Sequence, residues 1–455
     1  MLSGSWPWVA VVGLAMVAQA RLARTQFGSW LAPPAFFASL WVIFVASCLV
    51  VAPEYRIWPG VLWFFAMNCT VHLGAVLGSS LGMSAGKAPR GAAVRVPSAR
   101  VMSIAIAGCV VLGLAAGEVL LRSAGQSVLV FASRERLTVM ALGFSRLRYE
   151  QAGFREPTAF VFLSVFVYAG AYFSGMLFAV SRRPLHRAGA LAIFVPALLI
   201  AATLTTRASI LYCAINWVAG YLATIVWLGR ARAYSRLSRK VIAGATIAAL
   251  LAVAAYAGLQ TLRSGAALKF DTSIEEALEY GLENAKAAYV GSLAAFSGWF
   301  ARNWDTADAP AWGRYTFAST LQWFGARYRR FPDAQISPDP DAPVTNVYTI
   351  YRQFAEDFTL PGAGVLTFLI GLAGGWSYIA VGRGSLLALP PLVLFYQISL
   401  GSLTGFALRD TTLQVAFALL VCYVLATAGL RLPAAGKGRP ALAPPPKRRH
   451  VGAAG

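Results

Sequence analysis

The residues in this chain that could handle a phosphate are arginines, two of them set beside carboxylates. Thr205-Thr206-Arg207-Ala208-Ser209 fills a very short turn between two apolar runs, which puts Arg207 at the start of a helix. A cation there opposes the positive end of the helix dipole unless an anion lies between them. Arg207 therefore reads either as part of a phosphate site or as an interfacial arginine reaching for lipid headgroups. Arg409-Asp410 lies in a second short turn, between the last two apolar runs, where a local ion pair and a helix cap at Asp410 account for both residues equally well. Arg352 and Glu356 stand four apart, the spacing of an intrahelical salt bridge. Asp357 falls on the flank of the same helix, close to the next apolar run. A carboxylate is costly to bury there, so it serves chemistry or acts as a structural cap or pair. Arg327, Arg329 and Arg330 interleave with Trp323, Phe324, Tyr328 and Phe331, a mixture that suits sugars and phosphates at a membrane surface and equally suits interfacial anchoring.

Other chemistries have few residues to work with. The three histidines are His72 in an apolar run, His186 in a short connection and His450 near the end of the chain, and the five cysteines all fall inside apolar runs. Neither a disulfide framework nor a CxxC pattern is present, and no metal site or cofactor is expected. Of the three histidines, His72 alone could approach an outer site, and then only through a deep cavity. The first outer connection holds Glu54 but no second carboxylate to pair with it, so chemistry on phosphates there rests on arginines.

The elements that must position these residues are mostly membrane helices. The chain has 455 residues, of which 58% are hydrophobic and 13% charged, and its mean hydropathy is +0.62. That composition excludes an ordinary soluble enzyme. Apolar runs of about twenty residues are continuous rather than alternating, which favours helices over a β-barrel. About eleven spans are expected, near 5–20, 34–52, 57–79, 101–121, 158–180, 188–205, 208–228, 241–261, 361–381, 386–404 and 412–430. The fold class is thus all-α, a polytopic transmembrane helical protein.

Charge gives the orientation. Placing the basic connection 80–100 in the cytoplasm fixes every other connection by alternation, with the N-terminus outside and the C-terminus inside. The inner connections and tail then hold about 21 of the 39 Lys and Arg, and all 18 acidic residues fall on or near the outer side. The net charge of +21 is therefore cytoplasmic basicity facing anionic lipid, and no nucleic-acid partner is implied. The N-terminus lacks the positive n-region of a cleavable signal.

The chain divides into an N-terminal block of eight spans over 1–261, a large outer loop over 262–360, three further spans over 361–431 and a disordered basic tail over 432–455. The first block includes an outer segment at 122–157 that mixes apolar residues with charges, as a surface-lying amphipathic helix would. In the large loop, Ser273 to Asn284 reads as an acidic helix. The loop ends in a short amphipathic helix that shares Val347, Tyr351, Phe354 and Phe358 on one face, with Arg352 and Glu356 opposite. Thr345 or Asn346 caps it, and Pro361-Gly362 ends it.

Thr206-Arg207-Ala208-Ser209-Ile210-Leu211 opening a span, a long outer loop, then Asn346-Val347-Tyr348-Thr349 and Asp357-Phe358 before the next span together resemble the oligosaccharide repeat unit polymerases, the Wzy-type O-antigen polymerases of bacterial inner membranes. The likeness covers about 200–225 and 310–375. Where that family continues Asp-Phe-Gly, this chain has Asp357-Phe358-Thr359, with Gly362 a little later, so a different local turn is expected. The resemblance implies a GT-C-like glycosyltransferase with a large periplasmic loop. Its substrate would be an undecaprenyl-pyrophosphate-linked oligosaccharide, its surroundings membrane lipid, and its companions a flippase and a chain-length regulator. On that reading Arg207, Arg352 and Arg409 clamp the pyrophosphate, while Asp357 is the base, with Glu356 or Asp410 as substitutes. Asn346, Tyr348, Arg327 and Arg330 contact the glycan, and no nucleotide sugar is needed. Rival readings are an O-antigen ligase, which resembles this layout but carries a loop histidine that is missing here, and a transporter or flippase of lipid-linked sugars, which would use ionisable residues inside the spans.

Overall fold

The computed structural model describes residues 6–84, 98–133, 156–204, 208–235, 274–304, 310–325, 347–405 and 408–429, with a few short pieces between them. Among these residues, nine helices are long and apolar enough to cross a membrane. The chain is therefore a helical, multi-pass membrane protein.

Four helices open the chain: α1 (Trp6–Phe27), α2 (Pro33–Val51), α3 (Gly60–Ser84) and α4 (Ala99–Ser123). After α5 (Thr158–Val180), a single span is broken into α6 (Pro184–Leu191) and α7 (Phe194–Leu204), and α8 (Ala208–Trp227) follows. The expected span at 241–261 lies outside the described residues, as does the tail over 432–455. Of the segment at 122–157, much lies outside the described residues; among the described ones Val130, Met140 and Phe144 are buried, while Leu129, Arg136 and Val139 are exposed.

The large loop carries α9 (Ile274–Tyr289), α10 (Gly291–Asn303), the short α11 (Ala318–Trp323) and a two-residue antiparallel bridge between β1 (Ala334–Gln335) and β2 (Val344–Thr345). The chain then enters α12 (Ile350–Gly382), α13 (Leu389–Gly401) and α14 (Thr411–Gly429). At 13 residues α13 is shorter than the span expected at 386–404. Past Gly401 its hydroxyls turn back onto the helix carbonyls, with Ser402 Oγ donating to Ser399 O at 2.7 Å and Thr404 Oγ donating to Gly401 O at 3.3 Å.

Helix packing rests on close backbone approach. A Cβ built on Gly74 or Gly78 of α3 would lie 2.1 Å from Phe368 O or 2.0 Å from Leu372 O of α12. From the other side, a Cβ on Gly375 would lie 2.1 Å from Ala75 O. Small residues every fourth position let two membrane helices touch along their backbones, where dispersion contacts supply the attraction that lipid cannot.

Contacts among the connections sort them into two ends of the bundle. Arg383 Nη1 donates to Gly82 O and Met83 O at 3.0 and 2.7 Å, Ser29 Oγ to Ala231 O at 2.8 Å, and Arg230 Nη1 to Ala179 O at 3.1 Å. At the other end, Lys286 pairs with Glu54 at 2.8 Å and Gly60 N donates to Ser297 Oγ at 3.1 Å. Ile350 N donates there to Ser402 O at 2.8 Å, and Ser319 N to Arg409 O at 3.3 Å. These two sets are the ones that strict alternation assigns to opposite sides of the membrane.

The loop helices are seated on an aromatic core. Trp41, Phe64, Phe296 and Tyr351 are fully buried, with ring centroids 4.7 Å apart for Trp41 and Phe64, 4.8 Å for Trp41 and Tyr351, and 5.0 Å for Phe64 and Phe296. Such a cluster joins α2, α3, α10 and α12 in one packed unit.

Three details of the expected amphipathic helix change, the first being that it does not end at Pro361-Gly362 but kinks at Thr359 and continues to Gly382. Its first residue is Ile350 rather than one near Thr345, and Thr349 occupies the cap position without a side-chain bond, while Thr345 Oγ instead accepts Val347 N at 3.1 Å. The helix is also buried on both faces: Tyr351, Phe354 and Asp357 are 0% exposed and Arg352 is only 6% exposed. It does not lie on a surface, because α10 and the 402–405 turn cover the side expected to face water.

Candidate functional site

Asp357 is fully buried, and its carboxylate organises the loop above it. Oδ1 accepts Tyr315 N at 3.1 Å, and Oδ2 accepts Tyr315 N at 3.2 Å and Thr316 N at 2.6 Å. The backbone carbonyls of the same stretch add to this grip, since Ala311 N donates to Glu356 O at 2.9 Å and Trp312 N to Asp357 O at 3.0 Å. Charge-assisted bonds to backbone N–H groups are strong and directional. In this geometry Asp357 holds the 311–317 turn. A carboxylate has about four lone-pair positions, so these bonds leave accepting capacity, but the side chain is fully buried beneath the turn it holds.

Beyond that turn, Ser319 N reaches Arg409 O at 3.3 Å and the Thr320 hydroxyl donates to Gln414 Oε1. Gln414 Nε2 in turn donates to Leu408 O at 2.6 Å. The stretch from Ala311 to Thr320 thus ties the start of α12 to the Arg409 turn. Thr316 and Ser319 are three residues apart, so the Asp357 carboxylate and the Arg409 carbonyl are at most about 17 Å from each other.

Arg352 lies between two rings, its guanidinium carbon 3.9 Å from the Tyr348 centroid and 5.6 Å from the Trp299 centroid. The expected salt bridge forms, with Nε 3.4 Å from Glu356 Oε1. The arginine side chain is 7% exposed and the glutamate 23%. Such a desolvated guanidinium, held flat by aromatic faces, is geometrically fixed in a way that a surface arginine is not. Glu356 is thus the carboxylate of this helix that keeps some access to the outside.

Arg409 is half-buried, and burial lowers its guanidinium below the ordinary value, against the opposing influence of Tyr212 and Asp410. Tyr212 belongs to the first turns of α8, so the Arg409 turn sits over the start of that helix. Asp410 Oδ1 accepts Thr412 N at 2.8 Å, the helix cap that its position suggested.

The structure therefore gathers Arg352, Glu356, Asp357, Arg409, Asp410 and Tyr348 at one end of the bundle. Arg207, Asn346, Arg327 and Arg330 lie outside the described residues, although Ala208, next to Arg207, opens the helix that carries Tyr212. His72 is elsewhere, with Nε2 2.7 Å from Gln26 Oε1 of α1. Among the described residues no group of three or more His, Cys, Asp or Glu is placed to hold a metal ion.

Several members of the site were not among the sequence candidates. Trp299 stacks on Arg352 from some fifty residues away, and Trp304 and Trp312 stand 61% and 75% exposed on the loop. Tryptophans left in a polar loop were the signal available for the last two. The backbone N–H groups of Tyr315 and Thr316 leave no trace in residue type.

The turn that departs from the Asp-Phe-Gly pattern proves informative. Thr359 has φ 66° and ψ 171°, a conformation that is essentially glycine's. The chain makes the turn that a glycine would make, despite the threonine. Gly362 accommodates it: a Cβ there would meet Phe358 Cβ at 2.8 Å.

No protein-family model matches this chain, and no curated protein or solved structure does either.

Proposed function

We propose that the chain polymerises oligosaccharide repeat units carried on undecaprenyl pyrophosphate, as a GT-C-like glycosyltransferase of a bacterial inner membrane with the Arg352 end facing the periplasm. The observation that carries this reading is the tie from Glu356 and Asp357, through residues 311–320, to Arg409, which sets two arginines and an accessible carboxylate around one end of the helices. A lipid pyrophosphate arriving from the bilayer needs such cations at the membrane boundary.

In this mechanism the hydroxyl of the acceptor repeat unit attacks the anomeric carbon of the growing glycan. The bond from that carbon to the pyrophosphate oxygen breaks, and the leaving group keeps the electron pair. Arg352 and Arg409, with Arg207, neutralise the charge that develops on it, and Glu356 takes the hydroxyl proton. Asp357 is a positioning residue that holds the loop in place. Trp312, exposed on the turn that Asp357 holds, offers a ring face to sugars, while the Tyr348 ring is taken up in holding Arg352.

The test is purified protein with lipid-linked repeat units, chelator and no nucleotide sugar, read as product length on a gel. A ladder is expected from the native chain and is expected to vanish in Arg352→Ala, Glu356→Gln and Arg207→Ala. No ladder from folded protein, or normal polymer length in these variants, overturns the reading. Transfer of the whole glycan to a different acceptor would instead identify a ligase.

A further inference from the structure

At the end of the bundle opposite the candidate site, the starts of α4 and α6 and the end of α5 enclose a groove of about 1280 Å³. Its rim carries Arg100, Arg182, Arg183 and His186, and among the described residues no acidic side chain lines it. Its floor is apolar, formed by residues such as Ile104, Ala107 and Val111 of α4 and Leu177 and Val180 of α5.

Two features make the rim a place for an anion. Arg100 lies in the first turn of α4, and Arg183 occupies the cap position of α6. Both helices lack an acidic residue in their first turn, so cations stand against the positive ends of two helix dipoles. The local chain is also fixed: the Ser98 hydroxyl oxygen accepts Val101 N at 3.1 Å, Ser181 Oγ lies 3.1 Å from His186 Nδ1, and Arg187 Nε donates to Ser181 O at 3.0 Å. The rim is a set of positive groups on an ordered frame.

The floor states what kind of anion. From Arg100 to Val111 the groove follows α4 for eleven residues, roughly 16 Å at the rise of an α-helix. That is about half of a hydrocarbon core some 30 Å thick, or one leaflet. A soluble anion has no use for such a floor, whereas a lipid presents a charged head and a chain of this length together.

We propose that this groove is a binding site for one anionic phospholipid, its phosphate between Arg100, Arg182 and Arg183 and an acyl chain along α4 and α5. The site is independent of the polymerase reading. It gives the basic connections of this end a specific ligand rather than a diffuse attraction to the membrane surface.

Native mass spectrometry of the full chain in detergent tests it, with phosphatidylglycerol and phosphatidylcholine of identical acyl chains as probes. One phosphatidylglycerol is expected to bind tightly, with affinity falling about fivefold for each arginine neutralised in Arg100→Gln, Arg182→Gln and Arg183→Gln. Ala107→Trp, which fills the floor and leaves the charge intact, is expected to weaken binding as well, and inorganic phosphate is expected not to compete. Equal binding of the two lipids, or unchanged binding in the arginine variants, overturns the proposal. Competition by inorganic phosphate with no effect of Ala107→Trp also overturns it, in favour of a free anion.

Discussion

Thr359 bears a backbone conformation that costs a non-glycine residue about 1–3 kcal/mol. Replacing it by glycine removes that strain and returns some flexibility to the unfolded chain, so Thr359→Gly is expected to raise stability by about 1 kcal/mol. A thermal unfolding curve in detergent reads this directly, and a lower midpoint would show that the threonine side chain contributes more than its backbone costs. Asp357 permits a sharper distinction. Asn at this position keeps the shape but turns an NH2 group toward the N–H of Tyr315 or Thr316, so Asp357→Asn is expected to lose about 2–3 kcal/mol along with activity. Glu356→Gln is expected to lose activity with an unfolding midpoint close to that of the native chain. If instead Asp357→Asn melts normally and is inactive, Asp357 is the base. Residue type and spacing were enough to single out Asp357, but its role depends on backbone donors supplied by residues 315–316, which no side-chain pattern reveals.

The elements were more legible than the contacts between them. Hydropathy places nine membrane helices close to their observed positions, because a run of about twenty apolar residues has few alternatives in a membrane. Periodicity also found the helix at 350–358, yet it put Arg352 on a solvent face. The helix carries charge on that side, and nothing local records that Trp299 of α10 covers it. The glycines of α3 and α12, four residues apart, mark a helix pair in backbone contact that was not singled out in the sequence. Leucine at Gly375 would drive a side chain into Ala75 O, so Gly375→Leu is expected to cost about 3 kcal/mol or more, whereas Gly108→Leu, with nothing within 4 Å, is expected to be tolerated. Folded yield by size-exclusion profile separates the two.

The tether of α9 to the 52–59 connection belongs to the same scale. Lys286 binds Glu54 and Glu283 and lies 5.7 Å from the centre of the Tyr55 ring. Burial alone would lower its ammonium, but the bonds and charges of the two glutamates outweigh this and leave it raised above its ordinary 10.5. A raised value means that the tether is at full strength below pH 10.5 and fades as the pH climbs through the folded value. Lys286→Met is expected to loosen α9, by no more than about 1 kcal/mol because both glutamate partners are exposed, and faster amide exchange over Ile274–Tyr289 would register it.

At the scale of the whole molecule, the contacts divide the connections into two sets, and charge distinguishes the sets. Arg21, Arg24, Arg182, Arg183, Arg232 and Arg383 belong to the end that has no acidic residue among the described connections, while Glu54, Glu283, Glu356 and Asp410 belong to the other. Retention of basic connections on the cytoplasmic side orients such a chain, because Lys and Arg resist translocation whereas acidic residues scarcely affect it. The Arg352 end should then face outward, the side on which lipid-linked glycans would be joined. With the five native cysteines replaced by alanine, Glu279→Cys on α9 is expected to react with a membrane-impermeant maleimide in spheroplasts. Arg232→Cys is expected to react only after permeabilisation. The opposite pattern would turn the molecule over, place Arg352 and Glu356 in the cytoplasm, and remove the periplasmic polymerase from consideration even if every side-chain contact at the site were correct.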